Sequence, residues 1–254
     1  MLDNLRINTF DSIEEFVSGS ILLIDKPLGW TSFDAVNRIK GWVRNNIKIP
    51  LNAQGDKQRF KIGHAGTLDP LATGLLVICT GKMTKQIDHF QVGMKEYTGT
   101  ITFGKTTPSF DAETEPVGDF STAHLNMEGI RKCAATFIGE QLQVPPAFSA
   151  KQVDGKRAYE SARKGVHVEI APVKITVYDY QITRFENLQT DFIIRCSKGT
   201  YIRTMAHETG VRLDTGSYLT KLRRTESSPF RIEDALSVDD LIARLRETLT
   251  ISPS

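Results

Sequence analysis

A single carboxylate, Asp69, lies inside the run Gly63-His64-Ala65-Gly66-Thr67-Leu68-Asp69-Pro70-Leu71-Ala72-Thr73-Gly74. Three glycines and a proline in such a run predict a fixed loop with tight turns and close backbone approach. A carboxylate held in a rigid, largely apolar loop is costly unless it has a partner or a chemical task. A solvated aspartate in a surface turn is the alternative. The length of the patterned loop favours a functional site.

The segments around this loop predict the elements that position it. Residues Ile21 to Ile24 form an apolar run typical of a buried strand, and the turn-forming residues Asp25 to Gly29 follow it. Thr31 or Ser32 is predicted to cap a helix whose apolar positions follow helical spacing. These positions are Phe33, Val36, Ile39 and Val43. After the loop, Leu75 to Cys79 predicts a second buried strand.

The rest of the chain alternates strands and helices irregularly, which predicts an α+β fold with a mixed sheet and helices packed on it. Tyr97 to Phe103 predicts a strand with Tyr97, Ile101 and Phe103 on one face. Further predicted elements are a turn-rich segment over 106–122, a helix over 125–137, strands over 173–182 and 191–196, a helix capped by Thr200 and ended by Gly210, and a last helix starting at Ser237 and running through Leu245.

The composition is ordinary for a soluble globular protein, since 40% of the 254 residues are hydrophobic and 24% are charged. No apolar run reaches the roughly 18 residues that a membrane span needs, and the N-terminus is not a signal peptide. Cys79, Cys133 and Cys196 are too scattered for a disulfide framework and predict buried thiols in a reducing cytoplasm.

Charge is distributed unevenly along the chain. The net charge is only +2, but residues 1–20 and 233–254 are acidic, so residues 21–232 carry a net +8. A basic body suits a polyanionic partner. A solvated lysine-rich surface explains the same charge equally well.

Several common site motifs are absent from the sequence. It contains no G-x-G-x-x-G, H-E-x-x-H, G-x-S-x-G or paired-cysteine spacing. Gly74 to Lys82 resembles a phosphate-binding loop, but an apolar strand fills the space between its glycines. No cofactor and no metal are therefore expected.

Ordered motifs over about residues 19 to 231 resemble the TruB family of tRNA pseudouridine synthases. Besides the Asp69 loop, they are Gly19 to Ser32, Lys95 to Tyr97, Val144 to Lys151, Gly155 to Tyr159, Cys196 to Thr204, and Leu222 to Arg224. The resemblance implies a pseudouridine-synthase fold with a mixed, largely antiparallel central sheet flanked by helices and loops. It also implies a single catalytic domain over residues 1–250, with no C-terminal PUA-type domain apparent.

The family isomerises uridine to pseudouridine at position 55 in the T-loop of tRNA. The base is detached at N1, turned, and rejoined through C5. The resemblance makes Asp69 the nucleophilic aspartate, Tyr97 the stacking tyrosine and Arg203 the aspartate-pairing arginine. These roles make physical sense, because a flipped-out base needs a platform and a paired guanidinium keeps a carboxylate ionised. Attack at C6 or at C1′, and Tyr97 or Asp69 as the base that deprotonates C5, both stay open.

The remaining predicted RNA-binding residues surround this set. The resemblance places His64 against the flipped-out RNA loop, Lys26 near the active site and Tyr201 in the Arg203 segment. Leu222 is expected in the pocket wall, although a plain core leucine fits equally well. Basic side chains are expected to contact phosphates; they include Lys151, Lys156, Arg157, Arg223 and Arg224.

Two of these residues also fit purely structural roles. Tyr97 fits an ordinary core aromatic, and Arg203 fits a surface charge or a partner of Glu208. The segments 106–119 and 144–165 are expected to be mobile flaps over the substrate. Residues 45–61 look longer than the usual connection and receive no role.

The expected partner is the T-arm stem-loop of tRNA, and we expect a cytoplasmic monomer with no membrane contact and no obligatory protein partner. Three alternatives stay open: a pseudouridine synthase for another RNA stem-loop, with or without a guide RNA; a non-catalytic RNA-binding or tRNA-folding module; and a carboxylate-dependent glycosidase. The last typically needs two carboxylates about 5–10 Å apart, and no second carboxylate stands out in the motifs.

Overall fold

The computed structural model describes residues 7–49, 59–149, 152–153, 156–157 and 170–251. The chain divides into two compact units, which we describe separately. Unit 1 comprises Met1–Gly93 and Arg223–Ser254, and unit 2 comprises Met94–Leu222. A single catalytic domain over 1–250 stays a prediction. Among the described residues, no helix is both long enough and apolar enough to cross a membrane.

Unit 1 contains most of the elements expected around Asp69. In chain order they are α1 (Ile13–Gly19), β1 (Ile21–Lys26), α2 (Ser32–Asn46), β2 (Ile62–Ala65), β3 (Ala72–Thr80), a 3-10 helix (Gly81–Gln86) and α3 (Ile87–Gln91). Near its end the chain adds β11 (Phe230–Arg231), a 3-10 helix (Ile232–Asp234) and α6 (Val238–Ile251). Strand β10 (Ser217–Ser227) runs from unit 2 into unit 1 at Arg223.

Strand β1 is apolar at every position from Ile21 to Ile24 because both of its faces are covered. Leu22 and Ile24 belong to one buried cluster with α2 and α6, and Ile21 and Leu23 belong to a second cluster on the opposite face. Both β1 and β2 pair antiparallel with β3. The predicted strands before and after the Asp69 loop are therefore confirmed.

The start of α2 confirms the predicted cap. Thr31 is the N-cap residue, and its side chain accepts a hydrogen bond from the Asp34 backbone N–H while the Asp34 carboxylate accepts one from the Thr31 backbone N–H. Ser32, the other candidate cap, is the first helical residue.

Unit 2 is built on long antiparallel strands. It contains β4 (Lys95–Phe103), α4 (Met127–Ala135), β5 (Gly139–Gln143), β6 (Gln152–Val153), β7 (Lys156–Arg157), β8 (Val173–Glu186), β9 (Gln189–Cys196) and α5 (Ile202–Arg212). Strands β4, β9, β8 and β5 are neighbours in that order. Asn187 and Leu188 both have positive φ, 50° and 59°, and turn the β8–β9 hairpin.

The sheet pairing confirms the predicted fold class. Every ladder given above is antiparallel, while isolated parallel bridges join Ile24 to Leu236 and Asp111 to Leu219. The sheet is therefore mixed and largely antiparallel, and helices flank it.

Two predictions about α5 are wrong. The N-cap is Tyr201 instead of Thr200, because the Thr200 hydroxyl donates to the Ser197 carbonyl at 2.9 Å and so closes the preceding turn. Gly210 lies within the helix, which continues to Arg212. A Cβ on Gly210 would lie 2.4 Å from the Ser217 hydroxyl, so close packing explains this glycine.

Candidate active site

The loop that carries Asp69 is shorter than the sequence run suggests. Strand β2 ends at Ala65 and β3 begins at Ala72, so only residues 66–71 lie outside regular structure. Hydrogen bonds pin both sides of Asp69. The Ser32 hydroxyl accepts from the Leu68 N–H at 2.8 Å, and the Gly29 N–H donates to the Pro70 carbonyl at 2.9 Å. The predicted fixed loop is confirmed in this shorter form.

Arg224 holds the first part of this loop. Its side chain is buried, with 2% exposure. Its Nε donates to the Leu75 carbonyl at 2.8 Å and its Nη2 to the Gly66 carbonyl at 3.0 Å. The predicted phosphate contact of Arg224 is corrected accordingly, because the guanidinium is buried and donates to carbonyls of the loop and of β3.

Gly74 allows β10 to approach β3. Its φ is +101°, and a Cβ there would lie 2.3 Å from the Arg224 carbonyl oxygen. Glycine avoids both the backbone strain and the clash. The last glycine of the motif therefore secures the strand that delivers Arg224.

Lys26 is fully buried at the end of β1. Its Nζ donates to the carbonyls of Trp30 at 2.6 Å and Pro27 at 3.0 Å. Burial lowers the pKa of Lys26 to about 8, and the charge of Asp69 opposes that shift. Lys26 therefore interacts electrostatically with Asp69, and its predicted place near the active site stays a prediction.

His64 lies on β2, and its Nδ1 is buried with no hydrogen-bond partner among the described residues. Burial, with a smaller effect from the Arg224 charge, lowers the pKa of His64. The imidazole is therefore neutral near pH 7. Contact between His64 and RNA stays a prediction.

Arg223 differs sharply from its neighbour Arg224. Its guanidinium donates to both carboxylate oxygens of Asp25, at 3.0 and 2.7 Å, and both side chains are partly exposed. An exposed ion pair of this kind can exchange its partner for a phosphate, so the predicted RNA contact of Arg223 stays a prediction.

Tyr97 lies on β4, where it pairs with Ile194 of β9. Its side chain is 9% exposed and shares a buried face with Ile101 and Phe103, as the alternation predicts. A ring in this setting has its position fixed by the strand, which suits a stacking platform. The same burial also fits a core aromatic, so the stacking role stays a prediction.

Arg203 is the second residue of α5 and is 5% exposed. Its Nε lies 3.6 Å from a carboxylate oxygen of Asp111, which is also buried, and its Nη1 donates to the Ser109 carbonyl at 3.3 Å. The surface-charge alternative is therefore wrong, and so is pairing with Glu208, whose carboxylate lies 3.6 Å from Arg212. The predicted pairing of Arg203 with Asp69 joins two different units and stays a prediction.

Asp111 is a residue that our sequence reasoning missed. The Glu113 N–H donates to its carboxylate at 2.9 Å, and the Thr107 hydroxyl donates to its carbonyl at 2.7 Å. Thr106 and Val117 close the base of this loop with two backbone hydrogen bonds. The segment 106–119 is thus a hydrogen-bonded loop with a buried carboxylate, and its expected role as a mobile flap stays a prediction. The one available signal was its wealth of short polar residues, which also mark ordinary turns.

Gln143 fixes the start of α5 and was also missed. Its amide accepts from the Tyr201 N–H at 2.8 Å and donates to the Tyr201 carbonyl at 3.1 Å. Tyr201 is half-buried as the N-cap of the helix that carries Arg203. Leu222 is half-buried at the end of unit 2.

The structure does not describe the side chains of three basic residues that are predicted to contact RNA, namely Lys151, Lys156 and Arg157. Lys151 lies outside the described residues, as does much of the segment 144–165. Only the backbone of Lys156 and Arg157 is described, in the short β6–β7 hairpin. Their RNA contacts stay predictions.

Comparison with known proteins identifies the family of this chain. The profile of the TruB family pseudouridylate synthases (N terminal domain) matches residues 53–202. A tRNA pseudouridine synthase B from Flavobacterium johnsoniae is 49% identical over 89% of this chain and 95% of its own length. The chain belongs to the TruB family. The TruB relative from Chloroherpeton thalassium is 46% identical over 91% of this chain and 92% of its own length.

A solved structure supports the TruB fold. A chain of a Cbf5-Nop10-Gar1 complex has a TM-score of 0.65 and 26% identity to this protein. The match covers 90% of this chain and 54% of that one, so the protein spans about half the length of the solved relative. The protein is thus a pseudouridine synthase by family and by fold.

Proposed function

We propose that this TruB protein isomerises the uridine at position 55 in the T-loop of tRNA. Isomerisation of uridine in tRNA follows from its family and from relatives named tRNA pseudouridine synthase B. The observation that best supports a competent site is the pinned loop around Asp69, which holds one carboxylate beside the buried cation Lys26. Preorganisation of this kind reduces the cost of aligning a reactive group.

Asp69 is the catalytic carboxylate in this proposal. The reaction breaks the bond between N1 and C1′ and forms one between C5 and C1′; the proton lost from C5 is balanced by one gained at N1. Attack by the carboxylate at C6 or at C1′ needs the ionised form in either case. The charge of Lys26 interacts with Asp69, and a nearby opposite charge favours the ionised form of a carboxyl group.

Arg203 and Tyr97 complete the proposed catalytic set. Arg203 is the proposed partner of Asp69, and Asp111 is its positioning residue because it fixes the guanidinium within unit 2. Tyr97 is the proposed platform for the flipped-out uracil. We assign substrate contact also to His64, Tyr201 and Leu222, on the resemblance to the family.

The partner in this proposal is the T-arm of tRNA, bound by a cytoplasmic monomer with no obligatory protein partner. The three cysteines are buried and unpaired, which suits a reducing compartment. Exposed basic side chains contribute affinity through phosphates, and selection comes from the shape of the loop and its splayed bases.

Release of tritium from unmodified tRNA labelled at uracil C5 tests the proposal. We expect release with the wild type and none with Asp69→Asn, which keeps the shape but not the charge. Asp88→Asn is the control, because Asp88 is an exposed aspartate of α3 in the same unit. Mapping the product to position 55 tests the finer assignment. Equal release from wild type and Asp69→Asn would refute the role of Asp69. No release from either would favour a tRNA-folding module.

A further inference from the structure

The outer face of α2 forms one side of a basic groove in unit 1. Its residues Asn37, Lys40, Gly41 and Arg44 follow i, i+3, i+4, i+7 spacing and so lie in one stripe. The buried stripe of the same helix, which includes Val36, Ile39 and Val43, faces the core. The groove is therefore a surface feature that packing of α2 does not require.

The opposite side of the groove comes from the connection between α2 and β2. Ile49, Arg59 and Phe60 line it, and the groove, which is open to solvent, has a volume of about 500 Å³. Phe60 is buried and stacks on Phe16 with ring centroids 5.8 Å apart, so the floor is fixed by the core. This volume is typical of a site for a small ligand or one unit of a polymer.

The charge of the groove has one sign. Lys40, Arg44 and Arg59 are exposed cations, and none of the described residues that line the groove is acidic. Within the described part of the chain, no ion pair occupies any of the three. Cations that converge on a cavity without carboxylate partners favour an anionic ligand.

The nature of the anion follows from where α2 begins. Ser32, its first residue, holds Leu68 beside Asp69, and Lys40 and Arg44 lie two to three helical turns further, about 12–18 Å along the helix. RNA that presents its target base to Asp69 has backbone within such a distance. The apolar floor suits the sugar, and the cations suit phosphate oxygens.

We propose that this groove binds the sugar–phosphate backbone of the substrate tRNA, through Lys40 and Arg44 on one side and Arg59 on the other. The inference rests on the proposed function and deepens it. It gives a role to the described ends of the connection between α2 and β2, since Ile49, Arg59 and Phe60 belong to them.

Two triple variants test the groove against a general effect of charge. In Lys40→Ala/Arg44→Ala/Arg59→Ala, we expect tRNA affinity to fall about 10- to 100-fold near 0.1 M salt. The plot of log K against log salt should become shallower by about 2–3, and the loss should appear in KM more than in kcat. The control Arg38→Ala/Lys82→Ala/Lys85→Ala removes the same charge from exposed positions of unit 1 outside the groove. It should change affinity much less.

A single position supplies an independent test. A Cβ on Gly41 would meet no atom within 4 Å, so a longer side chain fits there. Gly41→Glu puts a carboxylate between the cations and should weaken tRNA binding about tenfold or more. Gly41→Gln has nearly the same shape and should bind as the wild type does.

Each alternative outcome is decisive. Equal losses in the two triple variants, or equal binding by Gly41→Glu and Gly41→Gln, would overturn the proposal while tritium release by the wild type continued. Binding of free AMP that the groove variants abolish, with tRNA affinity unchanged, would assign the groove to a free nucleotide and also overturn it. Failure of the proposed function is separate, since the wild type itself would then release no tritium.

Discussion

Adjacent arginines on β10 offer a matched test of how the Asp69 loop is held. Arg224 is buried and donates to the carbonyls of Gly66 and Leu75, whereas Arg223 forms a partly exposed ion pair with Asp25. Replacing each with methionine removes one guanidinium from the same strand. Because the two residues are neighbours on the same strand, the two variants differ mainly in the burial and the hydrogen bonds of the side chain that is lost.

The two substitutions should differ by several kcal/mol. Arg224→Met leaves two carbonyls without this donor, and each bond to a charged donor contributes about 1.5–3 kcal/mol, so we expect a loss of about 3–6 kcal/mol. The Arg223–Asp25 pair is screened by solvent, because its side chains are 40% and 37% exposed. Arg223→Met should therefore cost only about 0–1 kcal/mol.

Urea unfolding followed by tryptophan fluorescence measures this difference directly in unit 1. The protein has two tryptophans, Trp30 and Trp42, and both lie in unit 1. Under conditions where Arg224→Met is folded, its kcat should fall about 100-fold, since an ångström-scale shift of a catalytic group has that effect. If Arg224→Met loses no more stability than Arg223→Met, the loop is not held as we argue.

Further predictions concern a buried cation, a buried pair and two glycines. The folded pKa of Lys26 lies near 8, below its usual 10.5, so the unfolded state binds more protons between these pH values. Raising the pH from 8 to 10.5 should therefore increase the free energy of unfolding of the wild type, measured by urea titration, by about 3 kcal/mol more than that of Lys26→Met. Asp111→Asn removes a buried carboxylate charge beside Arg203 and should cost about 3–5 kcal/mol, measured by circular dichroism, and lower kcat. Gly74→Ala should destabilise by at least about 2 kcal/mol more than Gly29→Ala, because both have positive φ but a Cβ at Gly29 would meet nothing; comparable melting temperatures would contradict this.

The elements around Asp69 were predictable because their signals are local. Apolar runs predict β1 and β3, and Thr31 with Asp34 marks the start of α2 by a capping box within four residues. The Ser237 start of α6 has the same kind of signal, since its hydroxyl accepts from the Asp240 N–H at 3.0 Å. Short-range hydrogen bonds depend only on neighbouring residues, which is why sequence alone suffices for them.

Errors arose where local and distant partners compete for one residue. Thr200 has the right chemistry for a cap, but its hydroxyl closes a turn, and Gln143 satisfies the Tyr201 N–H at the helix start. Gly210 has the right chemistry for a helix end, but contact with Ser217 explains it. Neither competing partner has a spacing that a sequence pattern could reveal.

The proposed catalytic residues were predictable from motifs, whereas the groups that hold them in place are visible only in the tertiary structure. Arg224 reaches Gly66 across 158 positions, and Arg203 meets Asp111 in a segment whose composition is typical of any turn. Burial changes the role of each such residue, because a buried guanidinium donates to acceptors within the protein and is not accessible to phosphates. The basic residues of the sequence therefore divide into two classes: those that are buried in unit 1, such as Arg224, and those that are exposed, such as Lys40 and Arg44. Only the second class should appear in the salt dependence of tRNA binding, which is how experiment can separate them.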